Sequence, residues 1–162
     1  MRFVLIDKLI ELEVGRRAVA RMTFLQDEDV FLDHFPGFAV VPGSLITEAM
    51  GQAAGWLLAS TLEFTSWPLL TMIDHAKFRR LVVPGDELRI TVDLRSARDR
   101  DFEVAASASV GDARVADARL LFHAFDFRLP DGDRHRFMAW GREVFRQLGG
   151  EDLLGHRVGA TV

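Results

Sequence analysis

The chain has no cysteine and no tyrosine. The first absence excludes a disulfide framework and a thiol nucleophile. The second leaves 13 Phe and 3 Trp to supply the aromatic bulk of a core. No run approaches the ~18 apolar residues of a membrane span. The apolar N-terminal stretch Phe3–Ile6 is interrupted by Asp7 and Lys8 and is too short for a signal peptide. Positive charge is not in excess: 20 Lys+Arg against 24 Asp+Glu give a net charge of −4, so bulk attraction to nucleic acid or to an anionic membrane is not expected. No metal-ligand spacing, internal repeat or low-complexity segment is present. With 49% hydrophobic and 27% charged residues, the 162-residue chain has an ordinary globular balance. It is expected to be soluble and cytoplasmic.

Periodicity supplies the elements. After the turn-like Val14-Gly15-Arg16, the residues Ala18, Ala20, Met22 and Phe24 share one parity, which suits a half-buried strand. Ser44–Leu62 is predicted as one long helix, marked at its start by Pro42-Gly43 with Ser44 as the cap. It is apolar on nearly every face, so it should be buried on most sides. Its small residues Ala49, Gly51, Ala53, Ala54, Gly55 and Ala59 would let a sheet approach closely. Two short strands are predicted at Leu69–Ile73 and Ala76–Val83. Alternating strands follow at Leu88–Leu94 and Phe102–Ala106, and the longest at Val115–Phe127, with turns at Pro84-Gly85-Asp86, Arg98–Arg100 and Gly111-Asp112. Helix followed by consecutive antiparallel strands points to an α+β domain with one helix packed on one sheet. Phe137, Trp140, Val144 and Leu148 then mark an amphipathic helix ended by Gly149-Gly150, with a loosely ordered tail from Glu151. The expected division is a domain over 1–128 and a helical extension over 129–162.

The chemistry concentrates in His34-Phe35-Pro36-Gly37 and Pro42-Gly43-Ser44-Leu45-Ile46-Thr47-Glu48, which set a histidine and a glutamate fourteen residues apart across two Pro-Gly breaks and a helix start. Imidazole is the usual base for removing a proton beside a thioester, because its ordinary pKa lies near neutrality; a histidine hydrogen-bonded inside a loop is the other reading of His34. Glu48 lies near the start of a helix that is otherwise apolar. Burial would disfavour its charged form and suit a general acid, whereas the helix N-terminus favours the carboxylate, and both readings stay open. Gly43, at the helix start, offers backbone N–H to developing negative charge. Of the other histidines, His135 and His156 lie in charged, surface-like contexts, His123 reads as structural, and His75 receives no role.

These residues resemble the signature of the (3R)-3-hydroxyacyl-[acyl-carrier-protein] dehydratases of the FabZ type, which have the hotdog fold. A second block, Ile73-Asp74-His75-Ala76-Lys77-Phe78-Arg79-Arg80-Leu81-Val82-Val83-Pro84-Gly85-Asp86, resembles the same family's strand and turn. The likeness covers about Arg2 to Phe127. It implies a curved antiparallel sheet wrapped around one central helix, with the C-terminal helix as an addition. It implies that His34 and Glu48 are catalytic, that the Gly43 N–H polarises the thioester carbonyl, and that the Val40 carbonyl orients the histidine. Glu48 rather than Asp is similar to the FabZ branch, not the dehydratase/isomerase branch. The resemblance further implies a homodimer whose sites take His from one chain and Glu from the other, often assembled as a trimer of dimers. No metal or redox cofactor is implied, because the substrate rides on the phosphopantetheine of an acyl carrier protein. Carrier proteins are acidic, so Lys77, Arg79 and Arg80, with Arg16 and Arg17, form a candidate docking patch; solvated strand charges are the plainer reading. The chain departs from the pattern at Leu81, where proline is usual, at Ser44, where Val or Cys is common, and in lacking any tyrosine for a gate. The rival functions are an acyl thioesterase on the same fold and a non-catalytic acyl-binding or scaffold subunit.

Overall fold

The computed structural model describes residues 3–126 and 130–154. In chain order they form β1 (Lys8–Glu13), β2 (Arg17–Thr23), α1 (Val30–Asp33), α2 (Gly43–Thr61), β3 (Trp67–Phe78), β4 (Glu87–Arg98), β5 (Asp101–Val110), β6 (Ala113–Phe125), α3 (Asp131–Gln147) and α4 (Gly150–Leu154). The strands make one antiparallel sheet in the order β1-β2-β4-β5-β6-β3. Among the described residues no helix is long and apolar enough to cross a membrane.

One face of the sheet carries the core. Ala18 and Ala20 of β2, Leu88, Ile90 and Val92 of β4, Val104 and Ala106 of β5, and Ala116, Ala118 and Leu120 of β6 are buried at alternate positions. Against them lies α2, with Ala49, Met50, Ala53, Ala54, Leu57 and Leu58 fully enclosed. Buried alanines occur on both the helix and the strands. Larger side chains fill the rest, as dense packing requires. Register shifts at Leu9/Glu11, Leu70/Met72, Ile73/His75, Leu94/Ser96 and Ala108/Ser109 increase the local twist and bend, and so allow six strands to curve around a single helix.

Several local expectations change. The two short strands predicted around His75 are one, β3, which ends at Phe78. Its register shifts at Leu70/Met72 and Ile73/His75 break the alternation that a continuous strand would show. Ser44 is not the cap of α2. The cap position is Pro42, in an extended conformation, and no side chain caps the helix. Gly150–Leu154 forms a short helix rather than a loose tail, with Gly150 buried; residues 155–162, including His156, lie outside the described residues.

The C-terminal helices join the same core. Phe145 is enclosed between Trp56 and Phe64, and the Leu148 carbonyl accepts a hydrogen bond from Leu9 N–H of β1 at 2.8 Å. Gly149, at φ 81°, ends α3 in the left-handed conformation that favours glycine. Gly141 is required for a different reason: a Cβ there would lie 2.5 Å from the Trp67 ring. Gly141→Ala should therefore cost about 1–3 kcal/mol through overpacking, despite alanine's better helix propensity. Gly132→Ala in the same helix meets nothing within 4 Å and should be neutral or stabilising by up to about 1 kcal/mol. Urea unfolding of the two variants against wild type measures the contrast.

Candidate active site

The His34 loop is built by backbone reciprocity. His34 closes α1 by donating its N–H to Val30 O, and its carbonyl accepts from Val40 N–H at 3.0 Å. Phe35 and Phe38 exchange two backbone bonds of 3.0 Å each, with Gly37 at φ 79° in the turn between them. Val41 N–H then binds Val82 O at 2.8 Å, tying the loop to the segment after β3. The imidazole is held on both counts. Its Nδ1 lies 2.8 Å from the Val40 carbonyl oxygen, and the Phe35 ring stacks on it at 4.2 Å. A carbonyl only accepts, so Nδ1 carries the hydrogen. In the neutral ring this leaves Nε2 with its lone pair, the form a base needs.

His34, Phe35, Phe38, Val40, Gly43 and Ile46 line one side of a cavity of about 300 Å³; Phe78 and Arg80 to Val82 line the other. Gly43 is the first residue of α2, where N–H groups have no acceptor within the helix and the helix dipole is positive. Glycine is needed there: a Cβ would come within 2.9–3.1 Å of three atoms of the Phe78 ring. The lining is apolar except for His34, the Arg80 side chain and backbone groups.

Glu48 is not part of this cavity. It is half-buried, and its Oε1 accepts from Gln52 Nε2 at 2.9 Å. Gln52 in turn receives Leu5 N–H at 2.9 Å and donates to Phe3 O at 2.8 Å. The N-terminal segment therefore pins the glutamine that positions the glutamate. His34, Val40 and Gly43 converge on one cavity, whereas Glu48 does not line it. Gln52, four residues beyond the quoted Glu48, and Phe78, within the second block, carried no expected role. The i, i+4 spacing of Glu48 and Gln52 was the available signal for the first; no local signal marks Phe78 as the residue that crowds Gly43.

The basic cluster divides. Arg79 grips Asp117 through Nε and Nη2 at 3.0 and 2.9 Å, and Arg16 and Arg17 pair with Glu13 and Asp93. Lys77 and Arg80 are exposed, and Arg80 sits at the cavity. Among the described residues no group of three or more His, Asp or Glu is placed to hold a metal ion.

A six-stranded antiparallel sheet curved around a central helix, with a histidine loop at that helix's N-terminus, defines a hotdog-fold domain. Among proteins of known function, the 3-hydroxyacyl-[acyl-carrier-protein] dehydratase FabZ of Symbiobacterium thermophilum is 43% identical over 133 residues, covering 82% of this chain and 94% of the relative. The dehydratase heterocomplex ApeI:P of Xenorhabdus doucetiae shares the fold, with a TM-score of 0.62 and 17% identity over 76% of this chain and 84% of that one. So does the fluoroacetyl-CoA thioesterase FlK, with a TM-score of 0.61 and 19% identity over 83% and 98% of the two chains. A family model described as the FabA-like domain matches residues 1–119. The chain belongs to the FabA-like family.

The Arg79–Asp117 pair has a pH signature. The Arg79 guanidinium holds the Asp117 carboxyl below its ordinary value of 3.8. The folded state thus favours the carboxylate. The resulting stabilisation is complete above the ordinary carboxylate range and is lost as pH falls through the depressed value. Asp117→Asn is expected to cost about 0.2–1 kcal/mol near neutral pH, the range for an exposed pair, with the difference from wild type vanishing in strong acid. Unfolding midpoints across pH check this.

Proposed function

We propose that this protein dehydrates (3R)-3-hydroxyacyl thioesters carried on acyl carrier protein to trans-2-enoyl thioesters in fatty-acid or related lipid or polyketide synthesis. The observation that carries the reading is the His34 imidazole, fixed through Nδ1 to Val40 O with Nε2 left as the base, in an apolar cavity at the first N–H of α2. The catalytic unit is residues 1–128, and 129–162 is an extension of it. The 43% identity to a relative named as this dehydratase supports the substrate class.

The steps follow from the geometry. The thioester carbonyl accepts from Gly43 N–H at the positive end of α2, which acidifies the hydrogen on C2. His34 Nε2 takes that proton. Glu48 of a second subunit gives a proton to the C3 hydroxyl, which leaves as water as the C2–C3 double bond forms. Histidine then holds the extra proton that glutamate lacks, and transfer between them through solvent restores the site. Each proton-transfer group contributes about 10²–10⁴ in rate. The Val40 carbonyl disperses charge on the imidazolium as well as fixing the tautomer. These residues carry the proposed reaction without calling on a metal or redox group.

The second subunit is proposed because Glu48 lies outside its own chain's cavity and because β3 is an open edge. Leu69, Met72, Ile73 and Phe78 are exposed along it, a liability that strand pairing with a second copy removes. Among the basic residues, Arg80 is the one we assign to the acidic carrier. Because Arg80 also lines the cavity, Arg80→Glu should raise KM for carrier-linked substrate by a larger factor than KM for a free pantetheine thioester, and equal factors for the two would reject the carrier contact.

His34→Ala and Glu48→Gln are each expected to lower enoyl formation by at least about a hundredfold. Mixing and reassembling the two inactive variants should restore about a quarter of wild-type turnover, because half the dimers are mixed and each mixed dimer holds one intact site. Recovery of nothing would reject the shared site. Release of free thiol without enoyl absorbance would mean a thioesterase instead.

A further inference from the structure

The helix α3 lies wholly outside the matched residues 1–119, and the reaction as drawn gives it no part. It crosses the far end of α2 and the start of β3. Arg142 Nη2 donates to Glu63 O at 2.8 Å and Arg134 Nη2 to Thr65 O at 3.2 Å, both in the connection between those elements. Trp67, the first residue of β3, is enclosed by aromatic rings: Trp56 edge-on at 5.8 Å, Phe137 at 5.0 Å and Trp140 at 6.1 Å. Gly141 supplies the notch that admits it. Trp140 is still half exposed, so one face of this cluster remains uncovered.

The face of α2 that carries Glu48 leads toward this cluster. Gly55 lies seven residues on from Glu48, on the same side of the helix, and it is half-buried with nothing within 4 Å of where a Cβ would stand. The next residue, Trp56, is the first ring of the cluster. In the reaction proposed above, the carbonyl lies at Gly43 of one subunit and C3 at Glu48 of the other. A tail running on from C3 along the second subunit's α2 would pass Gln52, which the backbone of Phe3 and Leu5 holds, and reach the space over Gly55. Seven residues of helix give it about 10 Å before the aromatic cluster, at ~1.5 Å per residue.

We propose that α3 closes the acyl channel, and that Trp140 and Phe137, backed by Trp67, set the longest acyl chain the enzyme accepts. The inference rests on the dehydratase reading and on the shared site, and it deepens that reading by naming the substrate class: tails long enough to fill the space over Gly55 and too short to displace the α3 rings. An aromatic wall stops a chain because overpacking a filled space is costly, while a tail that falls short leaves apolar surface uncovered.

The three tryptophans of the chain, Trp56, Trp67 and Trp140, all belong to this cluster, so intrinsic emission reports on it alone. The test pairs two measurements on the full-length protein. In the first, unreactive alkyl thioethers of pantetheine are titrated in order of increasing tail length. Emission should be unmoved by the shortest and shift once the tail reaches the cluster. In the second, kcat/KM is measured for a series of 3-hydroxyacyl thioesters. Wild type should lose efficiency beyond a limiting length. Trp140→Ala and Phe137→Ala should raise the ratio of long-chain to short-chain efficiency on the order of tenfold, whereas Arg136→Ala, on the exposed side of α3, leaves the ratio unchanged. Enoyl turnover with emission insensitive to every tail length, or an unchanged ratio in folded Trp140→Ala and in its conservative partner Trp140→Phe, would overturn the channel wall and leave the dehydratase reading standing. An emission shift at a defined tail length without enoyl product from any substrate would support the channel wall and reject the reaction.

Discussion

A helix that is apolar around almost its whole circumference has to be enclosed, and in this molecule nearly every other feature answers to that constraint. One sheet must supply most of the enclosure, so it must curve. The five register shifts supply the bend. Close approach is helped by small residues on the helix, Ala49, Ala53 and Ala54, all fully buried, and α2 packs most extensively on β4 and β3. The far end of the helix is covered by α3, whose Phe145 packs against Trp56 and Phe64, while α4 lies on β1. On the remaining side of α2, Ser44 is exposed and Glu48, Gln52 and Gly55 are half-buried, with Gln52 held by the backbone of Phe3 and Leu5. That side holds the one carboxylate on the helix, and its position follows from the same constraint: a charged group is tolerated where burial is partial and a hydrogen-bond partner is supplied.

The histidine is governed by a different economy. Its loop has little core of its own, since Phe35 and Phe38 are exposed. Order comes from paired backbone bonds: two between Phe35 and Phe38, two contacts between His34 and Val40, and one anchor from Val41 to Val82. A base held in this way needs little reorganisation as charge develops. The Phe78 ring, lying over Gly43, ties the β3 block of the sequence to the helix start. The two motifs that are far apart in the chain are thus walls of one cavity.

Much of this was legible in the sequence, and the exceptions have physical causes. The helix was expected at Ser44–Leu62 and is found at Gly43–Thr61, because its pattern is long and bounded by proline and glycine. The strands β4, β5 and β6 alternate cleanly because one face is buried and the other solvated. The strand β3 did not read as one piece. It is an edge strand, almost wholly exposed, and its two register shifts destroy the parity that a pattern search relies on. Ser44 looked like a cap, but capping depends on the backbone conformation of the residue before the first helical turn, and Pro42 takes that place. Histidine and glutamate were visible as residue types at a telling separation. That only the histidine lines the cavity of its own chain was not, because that depends on how the His34 loop and β3 pack around the start of α2.

The open edge and the C-terminal extension constrain one another. Pairing of β3 with a second copy would need free backbone donors and acceptors along its outer side, and the strand's beginning is poorly suited to supply them. Pro68 has no N–H, and Trp67 lies under the α3 rings. The exposed apolar residues begin at Leu69 and run to Phe78, so an edge-to-edge contact is confined to that later stretch. There the strand ends beside Gly43 and the histidine cavity. That stretch is the part of β3 next to the cavity, which is where the proposed shared site would need a second copy. With the strand's beginning shielded by α3, any pairing of this edge with another strand would be restricted in register.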